Sequence, residues 1–222
     1  MSISDSSYVM YEGDIRTVIR SCGYARNIDA QEFVYHEGQM DESLYLIHSG
    51  RVAVQRRTHL GDVATLTVLG RDSLFGEVAI LGDGRRTATV RTLEKTRFYV
   101  LDRARFEELR RRNPAMGQAI EKMLADTVRR LSDQLVEALY EDARVRLARR
   151  LVDLADLYGA RPGNNVYIPL TQEMIGSMAG VKLRQTAKRL QEFEALGLIR
   201  LDRSKVYIEN YERLRLKGRL GK

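Results

Sequence analysis

From Gln118 to Tyr158 the chain runs without a glycine or proline, whereas the residues before it are repeatedly interrupted. Gly38, Gly50, Gly61, Gly70, Gly76, Gly82 and Gly84, seven of the 17 glycines, fall within residues 38–84 at spacings of 2 to 12. Punctuation that dense leaves no room for a long helix, while its absence downstream permits one. Short runs rich in β-branched and aromatic residues fill the intervals: SLYLIH, RVAVQ, DVATLTVL, TATVRT and RFYVLD. In RVAVQ, Val52 and Val54 face one way and Ala53 and Gln55 the other, the period of two of a half-buried strand. From about Gln31 to Leu101 the pattern predicts an antiparallel roll or barrel.

Asn113 is the expected N-cap of the long helix, with Pro114 at its first position. Ile120, Leu124, Val128, Leu131, Leu135 and Leu139 then recur every three or four residues and form one narrow apolar seam. A seam that narrow suits a two-stranded coiled coil, hence a homodimer; the alternative is a helix lying across the roll. A second helix from about Ala143 to Tyr158 carries Leu147, Leu151, Leu154 and Leu157 and stops at Gly159. The turn ARPGNN (160–165), a strand VYIPL, two helical stretches and the strand pair LIRLD and KVYIEN follow. The expected class is α+β: a jelly-roll-like β-roll over 1–112, a dimerisation helix over 113–141 and a C-terminal helical domain over 142–222.

The net charge of +7 is unevenly placed. Residues 1–142 hold 20 Lys/Arg against 22 Asp/Glu, and residues 143–222 hold 17 against 8. The whole excess therefore lies in the C-terminal part, which suits a polyanion such as nucleic acid, or simply a well-solvated basic domain. One cysteine, Cys22, excludes a disulfide framework and a four-thiolate metal site. His36, His48 and His59 lack metal-ligand spacing, so no metal site is expected. There is no apolar run of spanning length and no basic flank with an apolar core near Met1, so the cytoplasm is the expected compartment, with no membrane partner.

The densest chemical signal is FGEVAILGDGRRTATV, residues 75–90. Gly76 lets backbone approach a ligand, and a helical turn at Val78–Leu81 would aim free N–H groups beside it. Arg86 can clasp an anion in a bidentate pair, Thr87 can add a hydrogen bond, and Glu77 can accept from a hydroxyl. One anion beside one hydroxyl describes a nucleotide sugar-phosphate. The plain alternative is a Glu77–Arg86 salt bridge in a roll without a ligand.

This stretch resembles the phosphate-binding cassette of cyclic-nucleotide-binding domains. The resemblance implies that Glu77 binds the ribose 2′-hydroxyl and Arg86 the cyclic phosphate, with backbone contacts near Gly76, Val78 and Ala79 and with Thr87 beside the phosphate. It extends along the chain to the catabolite-activator and fumarate–nitrate regulator (CRP/FNR) family. FVYHEGQMDESLYLIHSGRVAV is similar to that family's opening strands, and DARVRLARRLVDLADLYG to the helix after its dimer helix. LTQEMIGSMAGVKLRQTAKRLQEFEALGLI resembles its helix-turn-helix, with Thr171 as cap and Gly180 in the turn. Ile175, Ala179, Leu190, Phe193, Leu198 and Ile199 would form the small core, and Leu198–Asn210 the wing of a winged helix-turn-helix.

By that resemblance the second helix enters the major groove of double-stranded DNA. Its leading residues are Lys182, Leu183, Arg184, Gln185 and Lys188, with Arg189 one step on; Lys182–Gln185 depart from the family's usual Ser-Arg-Glu-Thr. Arg184 suits guanine and Gln185 adenine, while Lys182, Lys188, Arg203 and Lys205 suit phosphates. The family's base-facing helix residues fall on Leu131 and Ser132; Leu131 departs from a polar pair and leaves cyclic AMP (cAMP) and cyclic GMP (cGMP) both open. The implied protein is a nucleotide-gated homodimeric transcription factor with RNA polymerase as a further partner and no prosthetic group. The same fold with a silent pocket would bind DNA constitutively. A haem sensor would need axial ligands near the long helix, where only Met116 and Met123 offer sulfur. An enzyme such as a phosphodiesterase would need clustered His/Asp, which are absent from the sequence.

Overall fold

The computed structural model describes residues 15–159 and 166–219; the turn expected at 160–165 lies outside the described residues. They fall into two compact units, 15–51 with 70–128 and 52–69 with 129–219.

The first unit opens with α1 (Ile15–Cys22) and β1 (Tyr24–Ile28), followed by β2 (Phe33–Tyr35) and β3 (Leu44–Ser49). After an interruption by β4 (Val52–Arg57) and β5 (Val63–Leu69), it resumes with β6 (Leu74–Phe75), α2 (Glu77–Leu81), β7 (Thr89–Thr92), β8 (Thr96–Leu101) and α3 (Arg103–Arg112). An antiparallel sheet runs in the order β1-β8-β3-β6, and β2 pairs antiparallel with β7. Period-two alternation in β3 divides its side chains between two apolar environments. Leu44 and Leu46 join Ile15, Val18, Ile19, Phe106, Leu109, Met116 and Ile120 in a helix-covered core. Tyr45 points the other way, stacked on Phe75 at 5.0 Å and edge-on to Phe98 at 5.9 Å. β3 is thus covered on both faces, which explains its unbroken buried run.

The roll begins earlier than the sequence suggests, because β1 pairs with β8 from Tyr24 to Ile28. RVAVQ also departs from simple alternation. Val52 and Ala53 are both fully buried, and a register shift between Val54 and Gln55 breaks the period.

The long helix α4 (Pro114–Tyr140) starts as expected: Asn113 Oδ1 accepts from the Ala115 amide at 3.1 Å. Met116 and Ile120 are buried in the first unit's core, while Val128, Leu131, Leu135 and Leu139 are exposed. The seam therefore divides. Its first turns pack against the roll's helices, and from Val128 onward it is left exposed among the described residues.

The second unit contains the β4–β5 hairpin, the distal part of α4, and α5 (Ala143–Leu157), β9 (Val166–Ile168), α6 (Gln172–Met178), α7 (Leu183–Ala195), β10 (Ile199–Asp202), β11 (Lys205–Ile208) and α8 (Tyr211–Arg219). Its sheet has the order β10-β11-β9. All six residues expected in the small core are buried, together with Leu147, Leu151, Leu154 and Leu214. Glu137 on α4 and Glu141 just beyond its end bind Arg149 of α5 at 3.1 and 3.2 Å, and Arg149 Nε donates to the Gly218 carbonyl of α8 at 2.7 Å. The hairpin meets α6: the Thr65 amide donates to Ser177 Oγ at 2.7 Å, and that hydroxyl donates back to the Thr65 carbonyl at 3.3 Å.

Candidate functional site

The cassette is built around Gly76. This residue caps α2 with φ +90°, a left-handed conformation that glycine adopts without steric cost. Space demands glycine as well. A Cβ there would lie 2.5 Å from Arg86 Nη1 and 2.7 Å from the Ser43 carbonyl oxygen. The void left by a missing methyl group is thus what admits the arginine. Arg103 holds the far end of α2, donating to the carbonyls of Ile80 and Gly82 at 3.0 and 2.7 Å while pairing with Glu42.

Arg86 is 2% exposed. Its Nη1 donates to the Gly76 carbonyl at 3.2 Å, and Nη2 to the Ser43 carbonyl at 2.7 Å and to Asp41 Oδ2 at 2.9 Å. The guanidinium carbon lies 4.0 Å above the Tyr35 ring, an arrangement that favours a cation. Arg86 Nε is buried without a hydrogen-bond partner, leaving one donor of the guanidinium unsatisfied. The ion partner that forms is therefore Asp41, not Glu77.

Asp41 is embedded in its own network. The Ser43 amide donates to Oδ1 at 3.1 Å and the Tyr45 hydroxyl to Oδ2 at 3.0 Å, while Arg26 donates to the Tyr45 oxygen at 3.3 Å. Burial pushes the Asp41 carboxyl upward, but the hydrogen bond and charge of Arg86, with Ser43 and Tyr45, outweigh it and hold the group below its usual value. Burial also raises the Tyr35 phenol above its ordinary value, with Arg86 opposing. Burial and the Asp41 charge push Tyr45 up to about 12. At neutral pH the pocket thus presents one ion pair ringed by protonated phenols.

The other expected ligand contacts lie on α2, at the residue after Arg86, and on α4. Glu77 is half-buried at the start of α2, Val78 and Thr87 are exposed, and Ala79 is buried beneath them. Leu131 and Ser132 are exposed on the distal part of α4. Sequence reasoning missed Asp41, Ser43 and Tyr35. All three lie in the stretch FVYHEGQMDESLYLIHSGRVAV, which signals strands rather than ligand contacts, and Asp41 lies 45 positions from its partner in a loop already rich in acids.

In the second unit the expected helix-turn-helix is formed. Thr171 caps α6, its Oγ1 accepting from the Met174 amide at 3.2 Å. Gly180 turns the chain at φ +62°. A Cβ on Gly176 would come within 2.1 Å of Thr186 Oγ1, so α6 and α7 meet almost backbone to side chain. Thr186, also missed from sequence, is fully buried and donates to the Val181 or Lys182 carbonyl, each at 3.2 Å. Its burial fixes the rotation of α7. Lys182 at the N-cap and Leu183, Arg184, Gln185 and Lys188 consequently face solvent. Arg189 is only partly exposed and pairs with Glu192 at 2.9 and 3.0 Å, so its charge is already partnered within the helix. Arg203 and Lys205 are exposed at the β10–β11 turn, with Lys205 Nζ 5.1 Å from the Tyr167 ring. The arrangement presents basic and amide side chains on an open surface, suited to a nucleic-acid duplex.

Comparison with known proteins places both parts of the chain in known domain families. Residues 25–113 match the cyclic nucleotide-binding domain family, and residues 145–216 the Crp-like helix-turn-helix domain family. A CRP-like cAMP-activated global transcriptional regulator of Mycobacterium tuberculosis is 31% identical over 188 residues, covering 84% of each chain. A cyclic AMP receptor protein of Thermus thermophilus is 30% identical over 169 residues, 76% of each chain. The solved structure of FixK2 from Bradyrhizobium japonicum superposes with a TM-score of 0.75 at 17% identity, covering 87% of this chain and 96% of that one. The last similarity shows a shared fold.

Proposed function

Because the chain belongs to the CRP/FNR family of transcription regulators, which are not enzymes, we propose that it is a homodimeric regulator that binds a cyclic nucleotide in its β-roll and, so switched, binds near-palindromic operator DNA. The observation that carries this reading is the Gly76–Arg86 cassette, a buried guanidinium with an unfilled donor, in one chain with an exposed recognition helix. Arg86 takes the cyclic phosphate, Glu77 the ribose hydroxyl, the backbone around Gly76, Val78 and Ala79 the phosphate oxygens, and Thr87 one further hydrogen bond. Leu131 and Ser132 face the base. Between cAMP and cGMP, the names of the two relatives favour cAMP.

The bare part of the α4 seam supports pairing of two copies. Two copies of α7 would then read half-sites about one helical turn apart. Arg184 and Gln185 read bases, while Lys182, Lys188, Arg203 and Lys205 hold phosphates. Nucleotide switches the protein only through its differential affinity for the DNA-competent state. The cytoplasm is the place of action, and RNA polymerase the downstream partner. No helix among the described residues is long and apolar enough to cross a membrane.

Asp41 seated on Arg86 favours a second reading, a silent pocket with constitutive DNA binding. Calorimetric titration with cAMP and, separately, cGMP tests both. Micromolar binding of either supports the gated regulator. No binding of either, with undiminished operator binding in a mobility-shift assay, selects the constitutive one.

A further inference from the structure

Arg86 does not wait in the open for an anion. Its side chain is buried, and its guanidinium is occupied by two backbone carbonyls and by Asp41. The Asp41 carboxylate oxygen lies 2.9 Å from Nη2, the distance and charge that a phosphate oxygen would offer. This carboxylate is also positioned deliberately: Ser43 fixes one oxygen and Tyr45 the other, while Arg26 holds Tyr45. A cyclic phosphate cannot add itself to this arrangement at no cost. Two anions would then share one buried guanidinium, and close like charges in a shielded site repel strongly.

We propose that Asp41 is an internal competitor for the phosphate subsite, a tethered carboxylate that caps Arg86 until a phosphate displaces it and that sets the nucleotide concentration at which the pocket fills. The inference rests on the reading of residues 75–90 as a nucleotide cassette and adds a residue to it. Displacement exchanges one charge-assisted pair for another, so the ligand gains only the difference between the two. Removing the competitor raises the free energy of the empty pocket, where Arg86 is left buried and unpaired. The filled pocket is spared, because the phosphate supplies the missing charge. Both effects tighten binding.

The residues facing Asp41 make the charge, rather than the shape, the quantity to test. Asn at position 41 keeps an oxygen acceptor for the Ser43 amide and turns an amide donor toward the Tyr45 oxygen while removing the negative charge; Ala removes the charge and both polar groups. Full-length wild type, Asp41→Asn and Asp41→Ala are each titrated calorimetrically with cAMP and with cGMP. The expected result is that Asp41→Asn binds one nucleotide about tenfold or more tightly than wild type, equivalent to about 1.4 kcal/mol. Binding by the variant where wild type shows none supports the proposal equally. Should wild type bind and both variants bind no more tightly, Asp41 is no competitor, and the nucleotide reading stands without it. Should none of the three bind either nucleotide, the nucleotide reading fails and this inference fails with it. Asp41→Ala keeps the test decisive if Asp41→Asn does not fold.

Discussion

Arg86 in the cassette and Arg184 on α7 are set in opposite surroundings. Arg86 is sealed between a carboxylate, two carbonyls and an aromatic ring, while Arg184 stands in solvent on the leading turn of its helix. A buried guanidinium acts at contact range, discriminates sharply and must be neutralised at every moment. An exposed one acts through the field of many neighbours, tolerates error singly and is screened by salt. The first unit is thus built so that one residue decides, and the second so that a surface does.

Substitutions should expose that difference, and the largest effect belongs to Arg86→Ala. It removes the proposed phosphate partner and leaves Asp41 without its counter-ion. Nucleotide binding should be lost in calorimetry, and urea unfolding should show a loss of about 3–5 kcal/mol. Full nucleotide affinity in the variant would show that the anion site lies elsewhere. Gly176→Ala strikes the second unit where it is tight rather than open. Its new methyl group would meet Thr186, costing about 1–3 kcal/mol and weakening operator binding by anisotropy, with nucleotide affinity unchanged. Equal loss at both sites would mean that the two regions do not act separately. Arg184→Ala should have the smallest effect. Stability should move by less than about 0.5 kcal/mol, and preference at one base pair should relax by about 1–3 kcal/mol. Uniform weakening across all operator variants would reassign Arg184 to the phosphates.

The elements readable in advance were those whose signal is local. The strands of the roll, the start of α4 at Asn113-Pro114, the Gly76–Arg86 spacing and the Thr171 and Gly180 markers all depend on residues near one another in sequence. What escaped notice depends on distance. The helix α1 is short, and its Ile15, Val18 and Ile19 gain meaning only against Leu44, Leu46 and Leu101 of the sheet. β1 is recognisable only by its pairing with β8. Asp41 reads as one acid among several until the fold sets it on Arg86, and Thr186 reads as a surface hydroxyl until α6 closes over it. The hairpin contact between Thr65 and Ser177 spans 112 positions and leaves no trace in either segment.

Past Ile120, the seam on α4 leaves Val128, Leu131, Leu135 and Leu139 each more than half exposed. Under the proposed dimer, a stripe of this kind makes abundance an input. When a second copy of the chain covers it, association becomes a mass-action term, worth about 1.4 kcal/mol for each tenfold rise in protein concentration. Dilution alone would then dissolve the DNA-reading species, whatever the nucleotide level. Such a regulator answers two questions at once, how much signal is present and how much of itself.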